Sequence, residues 1–507
     1  MTTATAKQEI EKGHAAHTQA ADNPEGLPGK ITRPLKITFM GAGSNFCPRL
    51  CNDIMKIPTA DRGEIHLVDI DPRRLSIMQD LVNKVVVKNG RSEGWTVNAT
   101  TDRREALPGS DYIVSCIEVS GTSCVEHDND IPLKYGVDQC IGDTIGPGGL
   151  FKALRTVPVF LDVLRDAREL CPQAWVLNYT NPMNILCLAS ARAVPEMTVV
   201  GLCHSVQGTS HRLAEYAGVP YAEMEWECAG INHLAWFTKL KHKGVDLYES
   251  VLNEKFKREI AQGIAEFERG LVQNDHTDTT HRMKDKVDVQ YKMLDLIRKD
   301  MCVHFGGFIT ESSGHLSEYL PYYRKSEAGR KLLRLAYDGG SRFYASNWPT
   351  WRKHHDEDRI AMAQGEKSID WERSWEYASW IIEAREKDQP FRMHGNIANF
   401  DAHGQGPVIS NLPHDGCVEV ACMVDRNGIH PTRFGALPLQ MAAICRMNMN
   451  MFDLAAKACV EMDREAAIHA LMLDPLTAAV LTPGEIRSMG NEMFEAEASF
   501  LKGFAGC

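Results

Sequence analysis

The stretch LKITFMGAGS, Leu35 to Ser44, constrains this chain more than any other. An apolar run of strand length that ends on glycines and leads into a helix-like pattern, NDIMKIP, describes a strand, a tight turn and a helix. Glycine lets the backbone turn there and approach a ligand without a Cβ. The next run, EIHLVDIDP, sets Asp69 at the tip of a second strand. Three more runs, DYIVSCIEVSG, AWVLNYTNP and TVVGLCHS, end in polar residues or glycine, and the helical pattern GLFKALRTVPVFLDVLRDAREL lies between the first two. Strands alternating with helices predict an α/β fold with a Rossmann-like, doubly wound parallel sheet, whose ligands gather at the carboxyl ends of the strands.

At 507 residues the chain is long enough for two or three domains. Residues 1–34 read as a polar, flexible arm. Residues 35–205 read as the Rossmann-like domain, and residues 206–507 as a mixed α+β domain for substrate, metal and oligomer contacts. In that second part the regularity weakens into helical patterns, EKFKREIAQGIAEFERGL and KVDVQYKMLDLIRKDM, with extended segments FGGFITESS and DGCVEVACMVD. The stretch from Gly339 to Asp388, rich in Trp and charge, reads as partly exposed helix and loop, and VEVACMVDRNGIHP as a strand followed by an Asp-Arg-Asn-Gly turn.

Composition excludes several classes. A net charge of -11 without a basic patch argues against a nucleic acid partner. No apolar run approaches the roughly 20 residues of a spanning helix, and the first thirty residues lack a signal-peptide core, so a cytoplasmic protein with no membrane partner is expected. The 15 cysteines lie in apolar contexts without a CxxC pair, which predicts free thiols in a reducing compartment.

Five motifs carry candidate chemistry. Gly41, Ala42, Gly43 and Ser44, with Asp69, form a dinucleotide fingerprint in which the acid would take the ribose hydroxyls of NAD. Phe46 stands where a third glycine is usual, so the turn alone is equally a plain strand-to-helix connection. In IGDTIGPGGLFKALRT, Asp143 is an acid among glycines before a helix; it is either a functional carboxylate or a helix cap. Asn178 and Asn181 in LNYTNPMN can bind sugar hydroxyls or serve an ordinary turn. Cys203, in GLCHSVQG, and His233, in CAGINHLAWF, could meet on one divalent ion with open positions, or remain a buried thiol and a core histidine. In FITESSGHLSEYLPYY, Glu311, His315 and Tyr319 are candidate bases, although the segment also suits a capped helix.

Together these motifs, with DIDPRRL, SWEYAS and NGIHPT, resemble the family 4 glycoside hydrolases, and within them the melibiase-type α-galactosidase branch with its Cys-His-Ser-Val form. The resemblance runs from about Lys36 to the C-terminus. It implies hydrolysis by a redox route that departs from two-carboxylate glycosidases: NAD oxidises the sugar at C3, a base removes the C2 proton, the C1 leaving group is eliminated, water adds, and the hydride returns. It implies Cys203 and His233 as ligands of Mn²⁺ or another divalent metal, His204 as the proton donor, Asn181 as a sugar contact and Asp143 as a carboxylate near metal and base. The base stays open among Tyr319, Glu311 and His315. A galactoside such as melibiose is the implied substrate and a homodimer or homotetramer the implied assembly. The alternatives are an α-galacturonidase or α-glucuronidase of the same family, a simple NAD-dependent sugar dehydrogenase, and a non-catalytic NAD-sensing module.

Overall fold

The computed structural model of the chain describes residues 26–269, 295–333, 336, 338–400 and 406–504. Its thirteen strands are β1 (Leu35–Met40), β2 (Gly63–Val68), β3 (Trp95–Thr100), β4 (Tyr112–Ser115), β5 (Trp175–Asn178), β6 (Thr198–Gly201), β7 (Met224–Ile231), β8 (Leu234–His242), β9 (Val245–Asp246), β10 (Phe308–Ile309), β11 (Phe391–Ala398), β12 (Cys417–Asp425) and β13 (Gly428–Pro431). One half of the sheet runs β3-β2-β1-β4-β5-β6, all parallel. This is the doubly wound order, with its reversal, and hence its ligand crevice, beside β1.

The other half is antiparallel and continues the same sheet, so the α+β part of the chain is not a separate layer. β11 joins β6 through a single pair, Asn396 with Gly201, and β12, β7, β8 and β10 follow. Apolar residues of both halves, among them Phe39, Val176, Ile231, Ile309 and Val418, belong to one core. Among the described residues every cysteine is free, and no helix is long and apolar enough to cross a membrane. The helical pattern at 286–301 is met from Leu296 to Phe305; residues 286–294 lie outside the described residues.

The arm reading is corrected where the chain is described, and residues 1–25 lie outside that range. From Gly26 onward the segment is a strap on the folded body. Leu27 is buried; its N–H donates to Glu383 Oε1 at 2.9 Å and its carbonyl accepts from Lys387 Nζ at 2.8 Å. Arg33 pairs with Asp111 at 2.6 Å and Glu386 at 2.5 Å. Leu27→Ala is expected to cost about 2 kcal/mol, the lower end for truncating a buried leucine. The check is a lower denaturation midpoint at unchanged slope.

Candidate active site

Three loop ends build the centre of the site. Cys203 lies two residues beyond β6. His233 occupies the two-residue turn between β7 and β8, where Ile231 pairs with Leu234. Glu311 follows β10, whose end is tied to the start of β8: Thr310 N–H donates to the Ala235 carbonyl at 2.9 Å, and Ala235 N–H donates to Thr310 Oγ1 at 3.1 Å. His233 and Glu311 both sit in the left-handed region, φ 61° and 71°, a costly conformation for side chains of this size that persists where the surroundings enforce it.

Those constraints bring Cys203 Sγ to 3.5 Å from His233 Nε2, and His233 Nε2 to 3.5 Å from Glu311 Oε2. The thiol, imidazole and carboxylate donor atoms all lie within 4.8 Å of one another. Burial pushes the Cys203 thiol up, and Glu419 and Glu311 add to the effect. Burial lowers His233 to about 4, so its imidazole is neutral and able to donate a lone pair. A cation reverses the thiol's preference, because coordination deprotonates it.

Beside this trio stands a charged relay. The helix Gly146–Leu170 opens with glycines because the preceding loop folds back over its first turn: a Cβ at Gly148 would stand 2.4 Å from the Gly142 carbonyl oxygen, and one at Gly149 2.6 Å from the Thr144 carbonyl carbon. Glu318 clamps that loop, accepting from the N–H groups of Cys140, Ile141 and Gly142 at 2.6, 2.9 and 3.2 Å. Since Glu318 and His315 share the helix Ser313–Glu318, the clamp sets Asp143 opposite His315, with Oδ1 and Nε2 3.7 Å apart. On its other edge Asp143 meets Lys152 Nζ at 3.7 Å, and Asn181 Nδ2 donates to its Oδ2 at 3.5 Å. Lys152 pairs with Glu118 at 2.9 Å.

Electrostatics follow from this order. Burial works against ionising Asp143, but Lys152 and His315 outweigh it and hold the carboxyl well below the usual range. Burial likewise opposes the charge on Glu311, and His233 and His315 prevail, bringing it to about 2. His315 resists protonation by burial, yet Glu311, Asp143 and Asp338 push it well above an ordinary imidazole. Its Nδ1 lies 3.1 Å from Ser312 Oγ, which in turn bonds Asp338. His204, just before the helix Ser205–Ala217, projects outward with its side chain 60 % exposed, and its Nδ1 lies 3.4 Å from Glu376. That carboxylate raises His204 to about 9.

Other sequence candidates fall outside this gathering. Tyr319 is buried behind His233, its ring centroid 6.3 Å away, and burial drives its phenol up. Asn178 is fully buried, with its amide spent on Thr180 and Met183. At the glycine turn Gly41 has φ 77°, and a Cβ there would stand 2.6 Å from the Cys116 carbonyl oxygen. Ala42 is buried in the turn, and Ser44 Oγ accepts from Phe46 N–H at 3.2 Å. Asp69 accepts from Gly43 N–H at 2.7 Å and Asp71 N–H at 2.9 Å. The Trp-rich stretch forms the helix Phe343–Gln364, which clamps this turn: Asp356 holds Arg74 at 2.6 Å while Arg74 donates to the Gly43 carbonyl at 2.7 Å, and Arg359 donates to the Asn45 carbonyl at 2.8 Å. Tyr344 and Trp348 of that helix line a cleft shared with Glu118, Asp143, Lys152 and Arg155.

Glu118, Lys152, Glu376 and Asp338 are members of the site that sequence reasoning did not single out. SWEYAS, the motif around Glu376, and GLFKALRT, around Lys152, were the available signals.

A thiol, an imidazole and a carboxylate thus converge on one point beside the carboxyl ends of a dinucleotide-type sheet. The sequence profile described as family 4 glycosyl hydrolase matches residues 36–219, and that of the family's C-terminal domain matches residues 228–477. The chain belongs to family 4 of the glycosyl hydrolases. An alpha-galactosidase of Bacillus subtilis (strain 168) is 35% identical over 470 residues, covering 92% of this chain and 99% of the relative. An alpha-galacturonidase of Lachnoclostridium phytofermentans is 26% identical over 485 residues, covering 93% and 98%. The crystal structure of a 6-phospho-alpha-glucosidase from gut microorganisms, in complex with NAD and Mn²⁺, shares the fold with a TM-score of 0.72 and 21% identity, over 92% of this chain and 99% of that one.

Proposed function

We propose that this glycosidase hydrolyses small unphosphorylated α-galactosides such as melibiose, using NAD and a divalent ion, Mn²⁺ foremost, as recycled cofactors. The observation that carries the reading is the convergence of Cys203, His233 and Glu311 beside the carboxyl ends of the strands. A thiolate, a neutral imidazole whose Nε2 faces the other two donors, and a carboxylate suit a divalent transition ion. For the dinucleotide, Gly41 and Gly43 leave the turn bare of side chains, Asp69 stands at the next strand tip, and Ile70 beside it is 92% exposed, an apolar face of the kind an adenine covers.

When bound, NAD supplies a reversible hydride acceptor for C3 of the sugar and the metal supplies a Lewis acid for its oxygens. Cys203 and His233 would hold the ion, with Glu311 as third donor. Asn181, aligned by Asp143, would take a ring hydroxyl. For the C2 proton, whose acidity an oxidised C3 would raise, the base stays open among Glu311, His315 and Tyr319. Glu311, Asp143 and Asp338 hold His315 protonated, so it would act as a base where a bound cation offsets those carboxylates. His204 hands a proton to the departing glycosidic oxygen from its exposed position beside Glu376.

A neutral sugar is favoured over a uronide by charge pairing. Of the cations lining the cleft, Lys152 is engaged by Glu118 and Asp143, and Arg155 by Asp128 and Glu497. A substrate carboxylate needs an uncommitted cation. The higher identity to the α-galactosidase than to the α-galacturonidase agrees.

The test compares kcat/KM for an aryl α-galactoside and the matching α-galacturonide. The galactoside is expected to win, and preference for the uronide overturns the substrate assignment alone. During turnover in D₂O, galactose is expected to carry deuterium at C2 without net growth of the nicotinamide band. Accumulating NADH marks a dehydrogenase instead.

A further inference from the structure

Away from the donor trio just described, Cys124 stands at the head of the helix Val125–Lys134, His127 lies in its first turn, and Glu497 caps the end of the helix Pro483–Ala496. The Cys124 and His127 spacing of three puts both on one helix face. Their sulfur and nitrogen, and a carboxylate oxygen of Glu497, lie within 4.8 Å of one another. Cys124 and Glu497 are buried.

Two further observations single out the spot. First, His127 Nδ1 and Glu497 Oε1, on two residues of this cluster, are buried atoms without a hydrogen-bond partner among the described residues. Buried polar atoms are nearly always satisfied, and a cluster of exceptions calls for a missing water or ion. Second, the charges do not balance. Arg155 donates to both oxygens of Asp128, at 3.0 and 2.8 Å, and also bonds Glu497 Oε2. One guanidinium thus faces two buried carboxylates, and one negative charge is left over in a region where an uncompensated charge is strongly unfavourable.

We propose that Cys124, His127 and Glu497 form a second metal site, for a soft divalent ion of the zinc type, separate from the centre at Cys203. A divalent cation with a deprotonated Cys124 neutralises the excess exactly once: Asp128, Glu497 and the thiolate carry three negative charges, and Arg155 with the ion carries three positive ones. Thiolate, imidazole and carboxylate are the donors that zinc takes together, and a water completes a tetrahedral set. The competing way to balance the charge is a proton shared between Asp128 and Glu497.

The experiment uses the full chain carrying Cys203→Ser, which removes the soft donor of the first centre. The protein is loaded with Zn²⁺, dialysed against metal-free buffer and measured for zinc by atomic emission; a parallel sample takes Co²⁺ and is read for the near-ultraviolet thiolate-to-cobalt band. The expected result is one zinc per chain and a thiolate band, both lost when Cys124→Ser is added. Because Cys124 is buried, His127→Gln at a partly exposed position provides an independent variant, expected to lose the zinc as well. Absence of retained zinc in the Cys203→Ser chain, or retention after either second substitution, overturns the site and leaves the shared proton. Neither readout depends on hydrolysis, so failure here is distinct from failure of the galactosidase reading.

Discussion

Cys203→Ser is expected to abolish α-galactoside hydrolysis while leaving NAD affinity and thermal unfolding close to those of the unaltered protein. The substitution keeps the size of the side chain and its neighbours, Ser205 at 3.2 Å and His233 at 3.5 Å, but replaces a soft donor with a weakly acidic hydroxyl. Lewis-acid stabilisation of developing charge contributes several kcal/mol, so the rate should fall by about 10³-fold or more. The glycine turn that would receive NAD lies at the tip of β1, on separate backbone, and should be unaffected. Turnover measured across a Mn²⁺ series at saturating NAD, with chelated wild-type protein as the reference, checks the expectation. A Cys203→Ser protein that hydrolyses normally, with C2 exchange intact, sinks the assigned chemistry.

The second large effect concerns His204→Asn and depends on the leaving group. Elimination of a sugar alkoxide needs a proton from the enzyme, and removing a positioned acid costs about 10²- to 10⁴-fold. A nitrophenolate leaves unprotonated, so aryl galactosides should lose far less than melibiose. Equal loss on both would make His204 a binding group. The pH profile separates Glu376 from His204. The donor must be protonated, and Glu376 raises it to about 9, so kcat/KM for melibiose should decline as pH rises through that value. In Glu376→Gln the raising partner is gone, and the decline should move down toward the ordinary histidine range. An unmoved profile removes Glu376 from the positioning of the imidazole.

The parallel half of the fold was legible because each strand is a short apolar run with a polar end, a local pattern. The candidate site was legible where motifs mark strand ends, at Cys203, His233 and the GAGS turn, or a glycine-rich helix start, at Asp143. Lys152 was not, because a charged residue inside a long amphipathic helix looks like any solvated position; only the back-folded loop at Gly142 to Thr144 turns it inward against Asp143. Glu376 and Asp338 reach His204 and His315 across long stretches of chain, contacts that no spacing encodes. Asn178 illustrates the converse. It has the right residue type at the right strand end, but the side chain faces the interior. Strands β3 and β11 were unmarked, although β11 pairs with β12 along its whole length.

That single pair between Gly201 and Asn396 has a consequence for how such an enzyme can change. Cys203 hangs from the parallel side of the seam, while His233 and Glu311 hang from the antiparallel side, so the donor set exists only when the two sides are in register. Neither side owns the chemistry. A recombination event that imported one side from a relative would carry a complete nucleotide crevice or a complete sugar wall and still bring no working centre, unless the join at β6 and β11 closed to within the tolerance of a metal bond. Diversity of substrate should therefore accumulate in features remote from the seam, such as the Trp348 helix, and the two sides should be inherited as a unit.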